Sequence, residues 1–381
     1  MLNIRLPFRE DVFAIVDIGP GGARAALVSF VNGTIHVHVQ TFTLISIEQE
    51  TAEHSVAAVG ERIDDVCKRL NEKAALKGIN ARVSKVYCIV HQPWAHSMTV
   101  RKRVDYPEET KIHDTHISAV AKEMLAEVKG VDMNAMMEAA VIRTWLNGYP
   151  VVHAENRNAH ALVVCAIVSD LDQTVKKNAE GAILRAYPTA SIEWRSAARA
   201  MQTVLGSLLR EDENYLVVDM GLDTTHLISV RDGFPIGERV VPQGLRTILT
   251  RIDPKRVAEE TLGFIRMLSR DTCEGAACEA IRTAMASAEP ELAKIFGEAL
   301  GGLAAERRLA NTLVLSAHPD IVDWMKQFFS RLDFTQFTST TLPFSVALLE
   351  QKDARVQVSS DEDLHTQIIF AAALVNTEMS A

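Results

Sequence analysis

Two aspartates in this chain each end a short apolar strand and are followed by a glycine-containing turn. Asp17 ends the segment FAIVD and precedes IGPGG, and Asp219 ends YLVVD and precedes MGLDTT. Such turns suit phosphate and Mg²⁺ chemistry, because backbone N–H groups can surround an anion while a carboxylate at the strand end holds the water shell of the metal. The two turns are therefore candidates for the two sides of a nucleotide site.

The same three-strand unit surrounds both turns. An Asn-Gly dipeptide follows the second strand of the first unit, and an Asp-Gly dipeptide follows that of the second, as in hairpins. The repeat favours a protein of two lobes whose turns face each other across a cleft. Ordinary hairpin punctuation remains the alternative for either turn alone. The predicted strands are 13–16, 25–31 and 34–43 in the first unit, and 215–218, 226–231 and 234–241 in the second.

Hydrophobic periodicity predicts alternating helices and strands in the rest of the chain, which indicates the α/β class. The first helix carries Val56, Val59, Ile63, Val66 and Leu70 on one face. The predicted helices are 56–70, 113–128, 171–187, 194–209, 321–329 and 366–376, with residues 254–309 almost wholly helical, and the further predicted strands are 85–90, 141–146, 161–168 and 312–315.

Composition limits the classes of function. The 381 residues are too many for one compact core, and 48% of them are hydrophobic, which is enough for sizeable cores. The net charge of −9 argues against a partner made of nucleic acid. The N-terminal segment MLNIRLPFRE lacks the apolar region of a signal peptide, and we find no apolar run of the ~18 residues that a membrane span needs. We therefore expect a cytoplasmic protein with peripheral or indirect membrane contact.

The five cysteines are an odd number and lie mostly in apolar segments, so we expect reduced, buried thiols without a metal site. The histidine pairs 36 and 38, and 113 and 116, are interpreted as solvated rather than metal-binding, because no third ligand follows from the spacing. The basic run 101–103 is interpreted as an exposed hairpin rim that could meet an acidic peptide or anionic lipid. The cysteines are Cys67, Cys88, Cys165, Cys273 and Cys278.

Four segments resemble the nucleotide motifs of the actin-like ATPase superfamily. VDIGPGG is similar to its first phosphate loop, VVDMGLDTTHLIS to the second, VVPQGLRTILTRI to the segment after it, and TLVLSAHPDIVDWMKQFF to the adenosine motif. The resemblance implies an α/β, actin-like (ribonuclease H-like) fold of two lobes. It also implies ATP and Mg²⁺ as cofactors.

Carried onto this chain, the resemblance implies a set of nucleotide-binding positions. Asp17 and Asp219 would hold Mg²⁺ through water, only if nucleotide binds. We assign no catalytic residue, because no water-positioning side chain is found. The implied positions are Asp17, Gly19, Gly21, Gly22, Asp219, Gly221, Asp223, Thr224, Thr225, Gly244 and Ser316.

The middle of the chain resembles the small α+β domain, termed SHS2, that is inserted in FtsA and PilM. The segments that carry this resemblance are VYCIVHQPWAHSMTVRKRV and VIRTWLNGYPVVHAENRNAHALVVCAIVS. The predicted divisions are 1–90 and 170–210 for the first lobe, 91–169 for the inserted domain, and 211–381 for the second lobe, with 254–309 as a reduced, mostly helical subdomain.

All four nucleotide motifs depart from the family pattern. Pro20 begins the stretch where the first loop has a hydroxyl and a lysine, and it has no N–H to donate. Asp223 replaces a glycine in the second loop and Gln243 replaces one in the third. Ala317 and His318 replace the two glycines of the adenosine motif. A few kcal/mol lost at each motif would abolish micromolar binding, since ~1.4 kcal/mol is tenfold.

These observations predict an actin-like scaffold with weak or lost ATP binding and at most a weak ATPase activity. The resemblance implies protein partners of a membrane machine for pilus assembly (PilM-like) or cell division (FtsA-like), with a partner peptide bound near the inserted domain. We find no amphipathic membrane-targeting tail after the last helix, which favours the PilM-like role. The alternative is an active Mg-ATP-binding ATPase that forms filaments or gates partner binding, and self-association is left open.

Overall fold

A computed structural model of the chain describes residues 12–44, 56–79, 82–151, 153–208, 214–231, 234–305, 307–331, 333–349 and 358–380. The strands are β1 (Val12–Gly19), β2 (Gly22–Val31), β3 (Thr34–Leu44), β4 (Val83–Val90), β5 (Ala95–Lys111), β6 (Met136–Leu146), β7 (Tyr149–Val151), β8 (Asn158–Leu171), β9 (Ser191–Ser196), β10 (Tyr215–Met220), β11 (Thr225–Arg231), β12 (Phe234–Val241), β13 (Thr312–Ser316), β14 (Ser345–Leu348) and β15 (Val358–Ser360). The α-helices are α1 (Val59–Leu76), α2 (Asp114–Glu127), α3 (Gln173–Ala186), α4 (Ala197–Leu208), α5 (Leu245–Ile252), α6 (Ala258–Ser269), α7 (Ala276–Ala304), α8 (Val322–Arg331) and α9 (Thr366–Ser380).

Two sheets share one strand order, and this is the internal repeat predicted from the sequence. The first lobe orders its strands β15-β3-β2-β1-β4-β9, and the second lobe orders its strands β12-β11-β10-β13-β14. In each, the first strand of the meander is antiparallel to the second and parallel to a later strand, as β1 is to β4 and β10 is to β13. Parallel neighbours end at the same sheet edge, so each aspartate turn lies beside the end of another strand. The predicted hairpin Asp232-Gly233 lies outside the described residues.

Helices cover both faces of the first sheet. The predicted apolar face of α1 is confirmed, since Ile63, Val66 and Leu70 are fully buried against the sheet. On the other face, α9 buries every residue from Ile368 to Asn376. Each helix therefore covers a separate hydrophobic cluster on its own face of the sheet, and a buried Ile or Leu side chain there stabilises the fold by about 1.5–3 kcal/mol.

The inserted domain is a four-stranded antiparallel sheet in the order β5-β8-β6-β7. Helix α2 covers one face through Val120 and Met124. On the other face, Ile236 of β12 in the second lobe packs against the cluster of Trp145, Val163 and Cys165. The domain boundaries drawn from the sequence stay predictions, but the inserted sheet separates clearly from the sheets of the two lobes.

Two sequence predictions about local structure are wrong. Residues 194–196, predicted as the start of a helix, belong to strand β9, because this strand pairs with β4 and completes the first sheet, which overrides local helix propensity. The basic run 101–103 lies within the 17-residue strand β5 and is not a hairpin rim. By contrast, the helical interpretation of residues 254–309 is confirmed by α6 and α7.

The expectation of five reduced cysteines is also wrong. Cys273 and Cys278 form a disulfide with 5.7 Å between their Cα atoms, at the start of α7. Sequence spacing could not distinguish this pairing from two free thiols. Cys67, Cys88 and Cys165 are free and buried, as expected.

Within the described residues, none of the helices is both long enough and apolar enough to span a lipid bilayer. The last helix is the most apolar by composition, but it has only 15 residues and is buried in the first lobe.

Candidate functional site

The first aspartate turn places Asp17 in a closed network of side chains. Asp17 is 1% exposed, and its two carboxylate oxygens have different partners. Arg24 Nη1 donates to Asp17 Oδ1 at 2.8 Å, and His91 Nε2 lies 2.7 Å from Asp17 Oδ2. The network continues to the last helix, because Arg24 Nε donates to His365 Nε2 at 3.2 Å. The carboxylate expected to face a metal is thus neutralised by the protein itself.

The protonation states of this network are fixed by burial and by charge. Burial alone would raise the pKa of Asp17, but the charges and hydrogen bonds of His91 and Arg24 outweigh it and lower that pKa to about 2. Burial, with the adjacent guanidinium of Arg24, lowers the pKa of His365 to about 4. At neutral pH, Asp17 is therefore ionised and His365 is neutral.

The low pKa of Asp17 predicts how its contribution to stability depends on pH. Because the folded-state pKa lies below the value of 3.8 for an ordinary aspartate, the contribution is complete above about pH 4 and is lost as pH falls through about 2. Urea unfolding should show Asp17→Asn to be less stable than the wild type by on the order of 2 kcal/mol at pH 6, with the difference shrinking towards pH 2.

The matched control for this measurement is Asp323→Asn, which changes an exposed aspartate of α8. It should leave a small difference from the wild type at every pH. An Asp17→Asn deficit that stays constant between pH 6 and pH 2 would contradict the assignment of a low pKa to Asp17.

His91 also occupies space at the first phosphate loop. A Cβ built on Gly19 would lie 3.0 Å from the Cβ of His91, so the imidazole side chain lies directly over the turn. Gly19 and Gly22 are paired where β1 and β2 meet, and they close the turn that holds Pro20 and Gly21. The side chain of His91 therefore lies against the turn predicted as the first phosphate loop.

In the second lobe, the predicted positions converge at one sheet edge. Asp219 and Ser316 are register partners on β10 and β13. Gly221 N–H donates to the carbonyl of Thr224 at 2.9 Å, which forms the tight turn. The buried hydroxyl of Thr225 donates to the carbonyl of Gln243 at 2.5 Å, so it is used within the protein.

The second and third loops pack so closely that glycine is needed at position 244. A Cβ there would lie 2.4 Å from the carbonyl oxygen of Leu222 and 2.5 Å from backbone atoms of Asp223. The carbonyls of Gly221 and Leu222 also accept from the N–H groups of Leu245 and Arg246, at 3.0 and 2.9 Å. These N–H groups open helix α5 and would otherwise be donors for a phosphate.

The charge of Asp223 is neutralised within the same loops. Its Oδ1 lies 2.9 Å from Arg246 Nε. The carboxylate that replaces a loop glycine therefore has a fixed cationic partner. A phosphate at this point would meet both charges.

The two lobes approach each other at the predicted turns. A Cβ on Gly21 would lie 3.9 Å from the Cβ of Leu222, so the first and second loops face each other as expected. In this arrangement the residues do not fit Mg²⁺ bound to ATP. A divalent cation at Asp17 would compete with Arg24 and His91, and the first donors of α5 are already used.

Sequence reasoning missed the side chains that complete this cleft. His91 follows β4, and its nearness to Asp17 could have been inferred once β4 was placed parallel to β1. Arg246 follows the third loop directly. His365 carries no short-range signal, since 341 residues separate it from Arg24.

A second polar cluster joins the inserted domain to the first lobe. Glu138 of β6 is 6% exposed, and its Oε1 accepts from the backbone N–H of Ser196 at 2.9 Å and from Ser169 Oγ at 3.1 Å. Arg199 Nη1 donates to Glu138 Oε2 at 3.0 Å, and Arg199 Nη2 lies 2.9 Å from Glu378 Oε1 of α9. Sequence analysis did not anticipate this cluster.

The strand order, the paired turns and the inserted sheet define the class: the chain has the actin-like ATPase fold. A solved structure of a PilM–PilN type IV pilus biogenesis complex is similar over 97% of this chain and 98% of that chain, with a TM-score of 0.57 and 15% sequence identity.

Two other solved structures are similar to the chain at lower TM-scores. One is the ethanolamine utilization protein EutJ from Carboxydothermus hydrogenoformans, with a TM-score of 0.47, 10% identity and coverage of 97% of this chain and 90% of that chain. The other is a protein of unknown function with an actin-like ATPase fold from Bacteroides thetaiotaomicron, with a TM-score of 0.38, 8% identity and coverage of 98% and 99%. No protein-family model and no curated protein matches the chain.

Proposed function

We propose that this chain is a cytoplasmic scaffold of a membrane-associated assembly, of the PilM kind in type IV pilus biogenesis, with ATP binding weak or lost. The network around Asp17 carries the proposal. Its carboxylate has Arg24 on one oxygen and His91 on the other, so protein side chains lie where the resemblance implies a metal. A site whose carboxylate already has partners within the protein suits a structural role better than catalytic turnover.

Similarity over the whole chain to the PilM–PilN structure supports the pilus role over the division role. That structure is of a complex of PilM with PilN. By analogy, we propose that this chain binds a peptide segment of a PilN-like protein near its inserted domain. Fluorescence anisotropy with the labelled cytoplasmic segment of the PilN-like protein from the same organism should show saturable binding.

Calorimetry with Mg-ATP tests the loss of nucleotide binding. We expect no binding heat at millimolar ATP from the folded wild type, and the same result from Asp219→Ala. The physical reason is that Asp17 and the first N–H groups of α5 already have partners inside the protein.

Circular dichroism should first confirm that both proteins are folded. A micromolar signal that disappears in Asp219→Ala would contradict the loss of binding. It would instead support the active, nucleotide-gated ATPase.

A further inference from the structure

One edge of the inserted sheet is open over most of a strand. Strand β6 pairs with β8 on one side, and on the other side β7 pairs only with its last three residues, Thr144 to Leu146. In the described part of the chain, no strand pairs with residues 136–143 on that side. We call residues 136–143 the open edge. Strand edges of this kind offer backbone N–H and C=O groups to another chain.

Exposed apolar side chains lie along the open edge and next to it in sequence. Among the described residues, eleven large hydrophobic side chains are exposed, and four of these lie between positions 133 and 149. They are Met133, Met136, Val141 and Tyr149, with exposed fractions of 41%, 40%, 43% and 75%. Exposed apolar side chains spread along an unpaired strand edge favour an interaction with another chain there.

The opposite edge of the same sheet is protected against such pairing. Strand β5 carries the basic run 101–103 and Pro107, and its register with β8 shifts between Asp105 and Thr110. Charges, proline and bulges are the devices by which proteins prevent a strand edge from pairing. The two edges of one small sheet therefore differ in design.

The open edge has fewer of these devices. Its register with β8 shifts between Met136 and Glu138 and again between Val141 and Arg143, which leaves residues 138–141 regular. The one charged side chain in that regular stretch, Glu138, is buried and directed to Arg199 in the first lobe. The next charged residue along the strand is Arg143, so a strand added beside residues 139–142 would meet an uncharged surface.

We propose that the open edge binds an extended, uncharged and predominantly apolar peptide segment of a partner protein, which adds as a strand in line with β7. The proposal rests on the proposed function, and it specifies where and by which chemistry the partner peptide binds. Main-chain hydrogen bonds to β6 supply affinity, and side chains next to Val141 and Tyr149 supply specificity. An uncharged surface selects an uncharged segment, because a charged one would lose hydration without gaining a partner.

A pair of matched substitutions tests the location. The probe is the labelled cytoplasmic segment of the PilN-like protein, titrated into the intact chain. Val141→Lys places a charge on the open edge and should weaken binding at least tenfold. Val240→Lys is the control, because it makes the same change at a similarly exposed valine (47%) on another edge strand, β12. It should leave binding unchanged, with both variants folded by circular dichroism.

A second measurement tests strand addition itself. Methylation of alternate backbone nitrogens of the probe removes donors but keeps the side chains. One of the two alternating methylation patterns should abolish binding. Hydrogen exchange of the complex should then show slowed amides within residues 136–143. Equal binding by both methylated probes would overturn strand addition.

The outcomes separate this inference from the proposed function. If the unmodified probe binds wild type, Val141→Lys and Val240→Lys equally, the open edge is not the site, while the proposed function stands. If the probe fails to bind the wild type, the proposed function fails and the inference fails with it. If sedimentation shows a dimer that Val141→Lys dissociates, the edge belongs to a second copy of this chain, and the inference is overturned.

Discussion

Replacing Gly244 by alanine should lower the free energy of unfolding by about 3 kcal/mol or more. The backbone angles of Gly244, φ −122° and ψ −170°, are open to any residue, so the cost is one of space alone. An added Cβ would lie 2.4 Å from the carbonyl oxygen of Leu222. The backbone fixes the position of Cβ, and the oxygen belongs to the backbone, so no side-chain rotation relieves the contact. Urea unfolding followed by circular dichroism measures the loss.

Gly263→Ala is the matched control for that substitution. Gly263 lies inside α6, and a Cβ there would have nothing within 4 Å. Alanine is a better helix former than glycine, so this variant should gain roughly 0.5–1 kcal/mol. If Gly244→Ala were as stable as the wild type, the close contact between the second and third loops would be refuted.

Glu138→Ala should be the second strongly destabilising change, at about 3–5 kcal/mol. The substitution removes one of the carboxylate partners of the largely buried guanidinium of Arg199. It also removes the acceptor to which the backbone N–H of Ser196 donates. Arg199 keeps Glu378 as a partner, so the cost comes from the weaker compensation of its charge together with the loss of an acceptor for the buried N–H and hydroxyl of Ser196. Thermal unfolding followed by tryptophan fluorescence measures the effect.

Glu123→Ala provides the comparison for Glu138. Glu123 pairs with Lys102 at 3.0 Å, but its side chain is 60% exposed, and exposed pairs contribute about 0–1 kcal/mol. Glu138→Gln should fall between the two, because the amide oxygen can still accept from Ser196 while the charge is lost. Equal melting temperatures for Glu138→Ala and Glu123→Ala would show that the buried cluster does not hold the inserted domain.

Much of the fold could be predicted because its signals are local. The repeat of strand, turn and strand around Asp17 and Asp219, and the apolar periodicity of α1, are visible within short windows. The sequence predicts a helix from residue 194, but residues 194–196 belong to strand β9. Their structure depends on pairing with β4, about a hundred residues earlier. The long strand β5 was missed for a similar reason, since its pairing with β8 decides its extent.

The candidate site was only half predictable. The sequence placed Asp17 and Gly21 opposite the second loop, and the contact between Gly21 and Leu222 agrees with that. It could not show that Arg24 and His91 take both oxygens of Asp17, because that depends on how β4 ends beside β1. The positions assigned to nucleotide contacts therefore stay predictions. The pairing of Asp17 with Arg24 and His91 is the physical reason to expect weak nucleotide binding or none.

The contact of the inserted domain with both lobes has a mechanical consequence. The inserted domain bridges the two lobes, because Glu138 pairs with Arg199 of the first lobe and Ile236 of the second lobe packs against the cluster of Trp145, Val163 and Cys165. A domain attached to both lobes opposes their relative rotation until one of the two attachments breaks. The half-buried Ile236 contributes less than the roughly 1.5–3 kcal/mol of a fully buried isoleucine, and therefore less than breaking a buried ion pair costs. When the two lobes rotate relative to each other, the inserted domain should therefore detach first from β12. It would then move with the first lobe.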